Sequence, residues 1–180
     1  MSALQPLRLT PLPLGSIRPR GWLARQLRLQ ADGLSGHLDE FWPDVADSAW
    51  IGGKAEGWER MPYWLDGAIP LAWLTGDAAL QARIAGYLDT ILARQGADGW
   101  LGPRPEETHA AADLWSQALA LKMLTVYHDA TGDARIPDAV ARALRKLDRV
   151  IDRNPLSKWG QFRWFEFLIA LWWLYDREAD

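Results

Sequence analysis

Residues 63–77 read YWLDGAIPLAWLTGD, a segment apolar on nearly every side that stops at a Thr-Gly-Asp. Two later segments follow the same plan. LWSQALALK (114–122) and RWFEFLIAL (163–171) also place a polar residue two positions after a tryptophan, which pairs Trp64 with Asp66, Trp115 with Gln117 and Trp164 with Glu166. The three lie about fifty residues apart, the spacing of a repeat built on one helix pair. A helix that is hydrophobic all round is one surrounded by other protein. Residues 61–75, 112–128 and 162–175 therefore read as enclosed helices.

Half-exposed helices alternate with them. AALQARIAGYLDTILAR (78–94) puts Leu80, Ile84, Tyr87, Leu88, Ile91 and Leu92 on one stripe, the mark of an amphipathic helix. DAVARALRKLDRVIDR (138–153) repeats the design with Val140, Leu144, Leu147, Val150 and Ile151. Residues 17–34 are a weaker version with Trp22, Leu23, Leu27 and Leu34. The stop TGD recurs at 75–77 and 131–133, and DREAD follows the third enclosed segment. Glycine at such a stop can take the left-handed conformation that ends a helix. No stretch alternates apolar and polar residues with strand period. The expected fold is all-α: stacked αα-hairpins, three in residues 17–180, preceded by an extended segment over 1–16.

Loop lengths point to where function sits. Each enclosed helix returns to its outer neighbour through a tight turn, whereas long segments over about 35–60, 95–111 and 154–161 lead into the next enclosed helix. All three long connections should then emerge on one face, where binding usually sits on a rigid scaffold. Trp50, Trp58, Trp100 and Trp159 lie in or beside them. WERMPYWLDG (58–67) is the junction of one such connection with its helix; Pro62 suits the first helical turn.

Bulk properties exclude several classes. The net charge of −3 offers no basic field for a phosphate backbone, so no nucleic-acid partner is expected. The absence of cysteine removes disulfides, thiolate metal sites and a cysteine nucleophile. The most apolar stretch, 162–175, is too short to span a bilayer and carries Arg163 and Glu166, so no membrane partner is expected either. Three prolines break the N-terminal segment, which makes a poor signal peptide; the expectation is a cytoplasmic protein.

Twelve tryptophans interleaved with carboxylates suit carbohydrate, since sugar rings stack on indoles and carboxylates accept hydroxyl hydrogen bonds. Hydrolysis of a glycosidic bond usually takes two carboxyl groups, and Glu59, Asp66, Asp98, Asp113 and Glu166 are the candidates. Each also has a structural reading. Glu59 can serve only the helix start, Asp66 and Gln117 can bond a neighbouring helix, and Glu166 can pair with Arg163 one turn earlier. Asp98, in GADGW, suits a turn that caps its own backbone, with Trp100 after it the better ligand contact; Asp113 suits the start of its helix. His37, His109 and His128 share no metal-ligand spacing. No nucleophile elbow, Walker loop or dinucleotide fingerprint is present.

PLPLGSIRPRGWLARQL, WIGG, WERMPYWLDGAIPLAWLTGD and ARQGADGWLGP, followed in order by LWSQALALKMLTVYHDATGD and PLSKWGQFRWFEFLIALWWLYD, resemble the N-terminal part of bacterial β-L-arabinofuranosidase-like glycoside hydrolases. The resemblance covers about 17–180. It implies part of an (α/α)6 toroid, three hairpins out of six, and arabinofuranoside hydrolysis as the activity. It also implies a cysteine nucleophile held on zinc by further cysteines and a glutamate, in the toroid's later half. This chain has no cysteine, so no catalytic or metal residue carries over, and no cofactor is expected in it. What carries over is one side of a sugar cleft: Trp58, Glu59, Tyr63, Trp64 and Asp66, with Asp98, Gly99 and Trp100 from the next connection. The chain alone is expected to bind sugar without turning it over, and to self-associate or require a C-terminal complement through uncovered apolar flanks. A non-catalytic carbohydrate- or protein-binding helical repeat is the alternative, and sugar epimerisation or polysaccharide lyase chemistry on the same scaffold a third.

Overall fold

The computed structural model describes residue 9 and residues 11–104, 114–157 and 160–177. Among them every regular element is helical. Helix α1 spans Gly21–Ala31, α2 Leu34–Phe41 and the short α3 Pro43–Ala46, followed by a 3-10 turn at Ala49–Ile51. Helices α4 (Arg60–Thr75) and α5 (Ala78–Ala93) come next, then α6 (Trp115–Thr131), α7 (Arg135–Ile151), a second 3-10 turn (Gly160–Phe162) and α8 (Glu166–Tyr175).

The TGD stops behave as their chemistry requires. Gly76 and Gly132 hold φ of +68° and +69° and donate their N–H groups back to Ala72 and His128, closing α4 and α6 in the left-handed manner. Asp77 then caps α5, its carboxylate accepting from the Leu80 N–H at 3.0 Å.

Helices α4 and α6 run side by side in the same direction. Their contacts descend in step, from Glu59 with Trp115, through Asp66 with Lys122, to the edge-on rings of Trp73 and Tyr127. Helix α8 continues the row on the far side of α6. Arg163, just before it, lies over the Trp115 ring, and Trp173 near its end donates to Asp129. The leading ends of α4, α6 and α8 thus meet at one pole. Leu65 and Ile69 of α4 and Leu121 and Met123 of α6 belong to the common core and are wholly buried, each worth roughly 1.5–3 kcal/mol of apolar burial.

A second row flanks the first. Arg83 and Tyr87 of α5 bond Glu40 and Asp39 of α2 at 2.8 and 2.9 Å. Arg135 of α7 bonds Asp89 of α5 at 2.7 Å, and Gln95 reaches the Ala139 carbonyl of α7 at 2.9 Å. Asp39 is 8% exposed; burial and this carboxylate push the Tyr87 hydroxyl up to about 12.

Three expectations are corrected. The helix expected over 17–34 is confined to Gly21–Ala31, and both α1 and α2 pack on α4, with Arg83 and Tyr87 of α5 reaching across to α2. A short turn joins α1 to α2, so chain order within this pair matches that of α4–α5 and α6–α7. The connection over 35–60 is no plain loop: Pro43 starts α3, Ser48 caps the 3-10 turn, and Val45 and Trp50 anchor the segment in the core. The segment 162–175 is not enclosed. Its helix starts only at Glu166, only Ala170 and Trp173 in it are buried, and its outward side carries exposed aromatic rings. All-round hydrophobicity announces a helix that needs covering on every side, and here only one side is covered.

Among the described residues no helix is long and apolar enough to cross a membrane.

Candidate functional site

Glu59 is the residue from which α4 departs, yet its side chain makes no cap. Glu56 does that work, accepting the Glu59 and Arg60 backbone N–H groups at 2.8 and 3.2 Å. The Glu59 carboxylate is thereby left to face across to α6, where it accepts the Trp115 indole N–H at 3.2 Å. The Arg163 guanidinium stacks on the same indole, 5.3 Å from its centre, and donates to Glu166 at 3.0 Å. One tryptophan therefore links the leading ends of three helices, with a carboxylate at its N–H and a cation on its face.

Two further positions extend the cluster down α4. Residues 59, 63 and 66 follow the i, i+4, i+7 rule and share one stripe. Asp66 pairs with Lys122 of α6 at 2.5 Å, and Lys122 stands two turns below Trp115 on that helix. Tyr63, 40% exposed, sits among them: burial raises its phenol above the ordinary value of 10.0, Glu59, Glu166 and Asp66 add to the rise, and Arg163 opposes it. The carboxylates of Glu59, Glu166 and Asp66 are mostly withdrawn from solvent, at 14%, 13% and 23% exposure. Three carboxylates and the Arg163 guanidinium thus lie near a partly accessible phenol.

Of the residues singled out in the sequence, Glu59, Tyr63, Asp66 and Glu166 are brought together. Trp58 stands beside them, 37% exposed, its carbonyl accepting from the buried Trp50 indole. Trp64 turns away: its N–H bonds the Ser35 carbonyl at 2.9 Å. With Tyr63 and Leu34 it lines a shallow cavity of about 290 Å³ between α2 and α4. Trp115, Lys122 and Arg163 were not singled out as site residues. The available signal was a lone lysine in an otherwise apolar helix, seven positions after a tryptophan.

Asp98, Gly99, Trp100 and Gln117 form a separate assembly. The Gln117 side chain takes both backbone groups of Leu101, its amide donating at 2.8 Å and its oxygen accepting at 3.2 Å. Trp100 is 6% exposed and donates its indole N–H to Pro103 at 3.0 Å. Gly99 (φ +98°) sits where a Cβ would come 2.3 Å from the Arg142 carbonyl oxygen. Asp98 accepts from Arg104 and Lys146 at 2.8 and 2.7 Å and from the Trp100 backbone N–H; the two cations hold its carboxyl well below the usual carboxylate range. In this latch the indole and the Gln117 amide are turned into the fold, whereas the Asp98–Arg104 pair stays about one third exposed. Asp66, Gln117 and Glu166, matched in sequence, thus meet three different environments: a lysine, a backbone segment and an arginine.

His37 pairs with Glu40 at 2.7 Å on the surface, and His128 packs edge-on against Trp173. Asp113, His109 and Trp159 lie outside the described residues. The thiolate zinc site implied by the family resemblance finds no ligands in a chain without cysteine. Among the described residues no group of three or more His, Asp or Glu side chains is placed to hold a metal ion.

Compared with protein-family models, with curated proteins and with solved structures, the chain matches none.

Proposed function

We propose that this chain is a glycoside hydrolase-type helical domain that binds carbohydrate at the junction of α4, α6 and α8. The observation that carries the reading is the convergence of Glu59, Asp66 and Glu166 on Tyr63, four of the sequence candidates, at the end of the bundle where the Trp115 indole binds Glu59. Half-buried carboxylates and cations offer acceptors and donors to sugar hydroxyls, and the exposed Tyr63 and Trp58 rings offer apolar faces to the C–H side of a sugar. The helix pairs α1–α2, α4–α5 and α6–α7 are read as successive hairpins, with α8 opening the next, in an array equivalent to part of an (α/α)6 toroid. Arabinofuranoside-like plant sugars are the substrate class suggested by the resemblance.

Glu59 and Glu166 are the pair closest to what glycoside hydrolysis needs, but each is already engaged, by Trp115 and by Arg163. The chain by itself is read as the recognition side of a cleft. Titration calorimetry against arabinosides and plant oligosaccharides tests this. Saturable heat that Tyr63→Ala abolishes supports it, and a panel with no heat at all refutes it. Free sugar released by the chain alone would correct the reading from binding to catalysis. A protein-binding scaffold is the second reading, favoured by the outward apolar side of α8.

A further inference from the structure

Helix α8 has two apolar sides. At 100° per residue, Phe167, Ala170, Trp173 and Leu174 point toward α6 and the core. Ile169, Leu171, Trp172 and Tyr175, with the partly exposed Leu168 between them, fall on an opposite arc of about 160°. Trp164 and Phe165 stand in the turn just before the helix, and the six residues other than Leu168 are between 40% and 56% exposed. The arc holds no charged residue from Trp164 to Tyr175.

Size separates this surface from ordinary exposure. Six large side chains about half uncovered present roughly 600 Å² of apolar surface, the upper limit of the largest patch on a typical monomer. Two such surfaces facing each other bury roughly 1,200 Å², where specific, stable interfaces begin. Composition points the same way, since aromatic residues are enriched and charges depleted at interface centres. The other exposed apolar helix does not compare. On α1, Trp22, Leu23 and Leu29 are interleaved with Arg25, Gln26 and Arg28.

We propose that the outward side of α8 is a self-complementary interface and that its occupant is the α8 of a second copy of this chain. An uncharged apolar strip can meet its own image across a two-fold axis without opposing like charges, the requirement of an isologous dimer. Internal packing supplies the precedent: α4 lies along α6 and α6 along α8, all three helices apolar on both flanks, so the partner α8 takes the next place in the row.

The test is the solution mass of the 180-residue chain by analytical ultracentrifugation, with the double variant Ile169→Glu/Trp172→Glu beside it. The wild type is expected at twice the chain mass and the variant at the chain mass, with unchanged helical circular dichroism. Both residues are exposed in the single chain, so their replacement leaves the core intact. Trp164→Lys/Leu171→Lys reads the same strip independently and should also halve the mass, while Trp22→Glu on α1 should leave the dimer unchanged. Sugar titration of the double variant should match wild type, so failure of the dimer and failure of the binding site are seen separately. A wild type that stays monomeric up to about 100 μM, or association that survives both α8 variants, overturns the proposal.

Discussion

The GADGW connection and the WERMPYWLDG junction are written alike, with tryptophans, acidic residues and turn formers, and the fold uses them in opposite ways. Around Trp100 the ring is buried and its polar neighbours are tied to one another: Asp98 is held by two cations, the indole by Pro103, and the Leu101 backbone by Gln117. Around Tyr63 the carboxylates are paired as well, Glu59 with Trp115, Asp66 with Lys122 and Glu166 with Arg163, but the phenol and the Trp58 ring remain partly open to solvent. What separates latch from candidate site is whether the aromatic faces are covered, since the polar atoms have partners in both. Spacing along the chain carries only part of that information.

Perturbation sharpens the contrast, and the largest effect belongs to the latch. Trp100→Ala should cost about 3–5 kcal/mol of folding stability, the range for deleting a buried tryptophan, measured by urea denaturation. An effect below about 1 kcal/mol would mean that the loop is not part of the core. Gln117→Leu comes next. It leaves the Leu101 N–H and carbonyl buried without partners, at about 1–3 kcal/mol for each group, and the loss should appear in the same denaturation midpoint.

A pH series reads Asp98. Its carboxyl titrates in the folded chain below the ordinary value of 3.8 because Arg104 and Lys146 bond it. The stabilisation is therefore complete above that value and drains away as pH falls below about 4 toward the folded-state pKa. Asp98→Asn should be less stable than wild type at neutral pH, and the gap should narrow steadily below about pH 4. Because the pair is substantially solvent-exposed, the gap is expected to be modest. A gap that widens in acid would contradict the assignment. On the other side of the comparison, Tyr63→Ala should shift stability by no more than about 1 kcal/mol while removing sugar binding. A collapse in stability there would move Tyr63 from the site to the core.

Much of the helical framework could be read in advance because its signals are local. The apolar periods of 78–94 and 138–153 and the Gly of each TGD stop act within a few residues, and α5, α7, Gly76 and Gly132 follow them. The first connection was missed because α2 and α3 are short and anchored by distant contacts, such as Tyr87 with Asp39. The exposed side of α8 was missed for the reason that composition reports what a helix would bury, and its neighbours decide what it does bury. In the site, Glu59, Tyr63 and Asp66 were legible through helical spacing. Arg163, Lys122 and the indole of Trp115 enter only through contacts 48 or 56 residues away in the chain, which no local pattern encodes. Glu56 likewise takes the capping role that the sequence offered to Glu59.

The central claim is that the α4–α6–α8 junction receives a sugar. Its most direct test is a calorimetric titration of arabinofuranoside oligosaccharides into wild type and into Glu59→Gln, which keeps the shape of the side chain but removes its charge. Saturable binding to wild type, weakened at least about tenfold in the variant (about 1.4 kcal/mol), is the predicted result. Equal binding by both proteins would place the sugar elsewhere, and no binding by wild type would contradict the account.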